Sequence, residues 1–154
     1  MLTLTEVLGT ERALRGRRAL SVFVDTSSKG RDPHDTWRAD LDRAIARVVA
    51  EASRLPDGER TAFELCLAHV RTELEAAHGP PACPGWVAYA TTDDVVLAGA
   101  VRAPVQTQVV WQRGLVIAPL LPQLVPDAMA DTVAPRPPML ASRGIRPELQ
   151  LAAG

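Results

Sequence analysis

Ala19-Leu20-Ser21-Val22-Phe23-Val24-Asp25-Thr26 holds Val22, Phe23 and Val24 in succession, and the run is apolar at odd and even positions alike. Side chains alternate across a strand, so an apolar run of both parities fits a strand buried on both faces. A central strand of that kind needs neighbouring strands beside it and a layer of structure above and below.

Downstream, Thr26-Ser27-Ser28-Lys29-Gly30-Arg31 breaks the pattern as a polar loop. Asp32 is placed to cap a helix, with Pro33 at its first position and Asp35 at its third. In that helix Trp37, Leu41, Ile45, Val48, Val49 and Ala52 form one apolar stripe, and Arg38, Asp42, Arg43 and Arg47 occupy the other face. Leu55-Pro56-Asp57-Gly58 separates it from a second helix over about Glu59 to Ala77, with the stripe Phe63, Cys66, Leu67, Val70 and Leu74. Gly79 and Pro80-Pro81 stop that helix.

Upstream, Thr3 or Thr5 can cap a short helix whose apolar positions are Leu4, Val7, Leu8 and Leu14. Glu6 near its start and Arg12 and Arg15 near its end suit the helix dipole. Beyond the helical pair, residues 85–91 read as a strand, Thr92-Asp93-Asp94 as a tight turn, and Val95–Val101 as the hairpin partner. After Pro104 a further strand is expected over Val105–Trp111. Its alternation sets Val105, Thr107, Val109 and Trp111 on one face and Gln106, Gln108 and Val110 on the other. Leu115–Leu124 suits a short helix after Pro119. Pro135, Pro137, Pro138 and Pro147 punctuate the rest. The chain is therefore expected to divide into a domain over 1–125 and a Pro-rich irregular tail over 126–154.

The predicted class is α+β, in the order α-β-α-α-β-β-β-α. A mostly antiparallel sheet of about four strands carries the two long helices on one face. The last three strands are expected to form a meander that admits the first strand centrally.

With 154 residues, the chain has the length of one domain with a sizeable core, and 47% hydrophobic and 23% charged residues are ordinary for a globular protein. Formal net charge is −1, whereas a stand-alone nucleic-acid binder is usually clearly basic. Charge is uneven along the chain. Residues 1–31 hold six basic side chains (Arg12, Arg15, Arg17, Arg18, Lys29, Arg31) against three acidic ones, and residues 32–78 hold six against ten. Two cysteines make neither a disulfide framework nor a zinc site, and a reducing cytoplasm is the expected compartment. Glu6 and Glu11 interrupt any apolar leader, and no apolar run approaches the ~20 residues that cross a bilayer, so no membrane partner is expected.

Motifs that carry chemistry are few in this sequence. Neither a Gly-x-Gly-x-x-Gly nor a Walker pattern occurs. His34, His69 and His78 have no spacing that gathers a ligand set, so no metal and no cofactor are expected. Cys66 and His69 are three apart on a helix, but Cys66 belongs to the buried stripe, where a thiol stays neutral. Asp93-Asp94 is better explained by a hairpin turn than as a catalytic pair. No catalytic residue is assigned, and the chain is expected not to be an enzyme. Asp25 and Thr26, at the end of the first strand, form a polar site or begin a turn. Arg17, Arg18, Lys29 and Arg31 flank the two ends of that strand and are the candidates for contact with RNA phosphates.

Four landmarks, taken together, resemble the first domain of the bacterial relatives of the archaeo-eukaryotic class I release factors. They are Leu20-Ser21-Val22-Phe23-Val24-Asp25-Thr26, Trp37-Arg38-Ala39-Asp40-Leu41, Gly85-Trp86-Val87-Ala88-Tyr89-Ala90, and Ala118-Pro119-Leu120-Leu121-Pro122-Gln123-Leu124. Order and spacing agree over roughly residues 4–125. That family includes stop-codon readers, ribosome-rescue peptidyl-tRNA hydrolases and the hibernation factor Balon. The resemblance implies a non-catalytic domain similar to the one that enters the decoding centre, with the ribosome or ribosomal RNA as partner and no DNA. Neither a Gly-Gly-Gln tripeptide nor an Asn-Ile-Lys-Ser motif occurs, so peptide release and codon reading carry over to no residue. Family members continue into further domains. The chain is expected to stand alone or to work with a companion chain. The alternative reading is a protein–protein interaction module, or a truncated remnant, without direct RNA contact.

Overall fold

A computed structural model describes residues 1–27, 33–76 and 83–124, and only the backbone of 33–36. Helix α1 spans Leu4–Leu14, strand β1 Arg18–Asp25, helix α2 Pro33–Ala52 and helix α3 Asp57–Ala76. Strands β2 (Gly85–Ala90), β3 (Val95–Val101) and β4 (Gln108–Arg113) follow. A 3-10 turn over Ala118–Leu120 leads into the short helix α4, Leu121–Leu124. The fold class is α+β, with the element order expected. Residues 126–154, the tail of the sequence reading, lie outside the described residues.

All strands are antiparallel neighbours in the order β3-β2-β1-β4. The stretch around Val22 is thus an interior strand, and its six residues from Ala19 to Val24 are all buried. On one face Leu20, Val22 and Val24 meet Trp86, Ala88, Ala90 and Val109 beneath the buried stripes of α2 and α3. On the other face Ala19 and Phe23 join Val87, Tyr89, Val101 and Val105 under Leu2, Val7, Leu14 and Leu120. Phe23 and Tyr89 meet edge to face, with ring centroids 6.2 Å apart.

Three details depart from the sequence reading. The last three strands are not a meander, because β4 pairs with β1 and never with β3. The chain leaves the end of β3, passes Pro104, which has no N–H for a ladder, and crosses to the far side of β1. The expected alternation also breaks there. Val105 packs in the cluster beside α1, whereas Val109 and Trp111 face α2 and α3, and β4 begins only at Gln108. In α2, Val49 is 44% exposed and leaves the stripe, while Ala44 takes a buried place. Val49 sits about 100° around the helix from Val48, which is enough to turn it off a narrow face.

Thr3 caps α1 through a capping box. Its Oγ1 accepts from the Glu6 N–H at 3.3 Å, and the Glu6 carboxylate accepts from the Thr3 N–H at 2.8 Å. Gly16 then takes a left-handed φ of 80°, which reverses the chain into β1.

Candidate functional site

The two ends of β1 carry the candidate residues. Arg17 and Arg18 stand at its start, and Asp25 and Thr26 at its finish. Eight residues of strand separate them by roughly 24 Å, so the two ends cannot share one phosphate group. Lys29 and Arg31 lie outside the described residues.

At the start, both arginines are engaged by carboxylates far off in sequence. Arg17 Nη2 donates to Asp93 in the β2–β3 turn at 2.9 Å, and both side chains are more than half exposed. Arg18 Nη2 reaches both oxygens of Glu59, in the first turn of α3, at 2.9 and 3.1 Å. These contacts tie β1 to the hairpin and to α3, and they neutralise the charge a polyanion would meet. Nearby, the His69 ring approaches the Thr92 carbonyl at 3.2 Å. That contact draws His69 to the hairpin turn. Burial pushes the Cys66 thiol up to about 11, so Cys66 stays a thiol at neutral pH.

At the finish, the corner is built by a set of short-range and long-range hydrogen bonds. The Asp25 N–H donates to Thr107 Oγ1 at 2.9 Å, which fixes where β4 approaches. Asp25 Oδ1 accepts from the Ser27 N–H at 2.9 Å and from the Ser27 hydroxyl at 2.5 Å, an Asx turn. The Thr26 hydroxyl donates to the Cys83 carbonyl, and the Thr26 N–H donates to the Pro84 carbonyl at 3.2 Å. In turn the Cys83 thiol donates to the Gly85 carbonyl at 3.0 Å. Each hydroxyl and the thiol is spent on holding the turn. The sequence reading placed Asp25 and Thr26 here. It missed Cys83 and Thr107, because their bonds to Thr26 and Asp25 join positions 57 and 82 residues apart and leave no local signal; the Asx turn to Ser27 is local, and is the turn that reading allowed at Asp25.

Among the described residues, no group of three or more His, Cys, Asp and Glu side chains is placed to hold a metal ion, and no helix is long and apolar enough to cross a membrane. Compared with protein-family models and with curated proteins, the chain matches none.

Proposed function

We propose that the chain is a non-catalytic, cytoplasmic, ribosome-associated domain, similar to the first domain of release, rescue and hibernation factors. One observation carries the reading. Two of the landmarks of the resemblance are adjacent strands in this fold, with Leu20 opposite Ala90 and Asp25 opposite Gly85. Leu120 of the last landmark packs beneath them in the same cluster as Phe23 and Tyr89. Motifs that are distant in sequence therefore form one structural unit.

The experiment is co-sedimentation with small-subunit and whole ribosomes at low salt, where phosphate contacts are strongest. The expected outcome is recovery in the ribosomal fraction. The Asp93→Asn/Glu59→Gln pair releases Arg17 and Arg18, and should tighten binding and steepen its salt dependence if those arginines meet phosphate. Absence from ribosomal fractions at low salt for both proteins overturns the reading.

A second reading, a protein–protein interaction module, is favoured by the pairing of Arg17 and Arg18 with carboxylates, which lowers the free positive charge. A partner retained by the full chain, lost on removing residues 126–154, and recovered without ribosomal RNA supports this reading.

A further inference from the structure

The two edges of the sheet are guarded differently. On β3, the Leu2 N–H donates to the Ala100 carbonyl at 3.0 Å, and a register shift at Tyr89/Ala90 irregularises the ladder. Bulges and covering segments are how proteins blunt edge strands. Among the described residues, β4 has no such guard. It reads Gln-Val-Val-Trp-Gln-Arg, with no proline and one charge at its end. Among the described residues, only β1 pairs with it.

Beside this edge runs a groove of about 280 Å³ between α2 and β4. Its apolar lining includes Val48, Leu55, Val109 and Trp111, and Arg47 and Glu51 stand on its helical rim. The Trp111 indole N–H is buried and has no acceptor among the described residues. Arg47 and Glu51 are exposed, four residues apart, and neither forms an ion pair among the described residues.

We propose that a second copy of this chain occupies the groove, pairing its β4 antiparallel with this one across a two-fold axis. Charge complementarity selects that occupant. An antiparallel, two-fold apposition at this level sets Arg47 of each copy opposite Glu51 of the other, twice over, since both residues line the groove beside Val109–Trp111. With the axis at Val110, Gln108 faces Gln112, Val109 faces Trp111 and Val110 faces its own copy, so no like charges meet on the strand. The sheet then runs unbroken through both copies. A six-residue strand and one helix flank make a small interface, so the dimer is reversible and concentration-dependent. This inference does not depend on the ribosomal reading.

The test is sedimentation velocity on the full chain from about 1 to about 500 µM. The expected result is a monomer–dimer equilibrium that Arg47→Glu or Glu51→Arg each weakens at least ~10-fold, since two like-charge contacts replace two attractive ones. Both positions are exposed, so the variants should fold, which circular dichroism checks. Mixing the two single variants should restore association as a heterodimer, because each copy supplies the charge the other lost. A chain that is monomeric at every concentration overturns the proposal. So does a dimer that neither substitution weakens, or a mixture that stays monomeric.

Discussion

Val116 shows how single side chains fasten this fold. Its carbonyl accepts from the Tyr89 hydroxyl at 2.8 Å, and its N–H donates to Ser21 Oγ at 3.2 Å. Tyr89 and Ser21 are fully buried on neighbouring strands, so both polar groups of one loop residue are held by the sheet. Burial drives the Tyr89 phenol well above its ordinary range, so it remains a neutral donor throughout the pH range of the folded protein. Tyr89→Phe and Ser21→Ala should each cost about 1–3 kcal/mol in urea unfolding, because each leaves a buried partner unsatisfied. The double variant should lose less than the sum, since both bonds hold the same peptide. Additive losses would mean that the two contacts act independently. None of this was legible in the sequence. Ser21 carried no role of its own in the sequence, only a place in the first strand, and its partner lies 95 residues away. Thr107 at the Asp25 corner escaped notice for the same reason.

At the scale of the element, what could be read was what is local. The α3 stripe Phe63, Cys66, Leu67, Val70 and Leu74 is buried as its spacing implies, because helical periodicity is written in the residues themselves. The place of β4 was not, because strand pairing depends on partners that periodicity does not name. The α1 capping box was half visible, as a choice between Thr3 and Thr5 with Glu6 following. The Thr3 hydroxyl, then the Thr3 backbone N–H, hold the Glu6 carboxyl below its ordinary value of 4.5. A carboxyl depressed by folding stabilises the folded state above its unfolded value, and that contribution is lost as pH falls through the folded value. Acidification below about 4.5 should therefore loosen α1, and Glu6→Gln should flatten this part of the pH dependence. Thr3→Ala should cost about 1 kcal/mol at neutral pH. Thermal unfolding from pH 3 to 7 checks all three, and an unchanged acid limb in Glu6→Gln would falsify the assignment.

Across the whole molecule, one sheet divides two cores. The α2–α3 layer covers one face, and α1 with the segment ending in Leu120 covers the other. β1 and β2 each have a strand on either side as well as packed layers above and below. Their amides cannot meet water unless both layers and a neighbouring strand come away, which amounts to global unfolding. α1 is held differently, chiefly through Val7 and Leu14, with Leu8 40% exposed. Its opening strips one layer and leaves the larger core intact. Native-state hydrogen exchange should therefore find Leu20–Val24 and Trp86–Ala90 exchanging only at the global free energy. α1 should exchange by a local opening several kcal/mol cheaper. The Arg17–Asp93 contact at the start of β1 should hardly alter that ranking, since exposed ion pairs contribute about 0–1 kcal/mol. If α1 and β1 exchange at the same rate, the two cores form one cooperative unit, and the sheet does not separate them energetically.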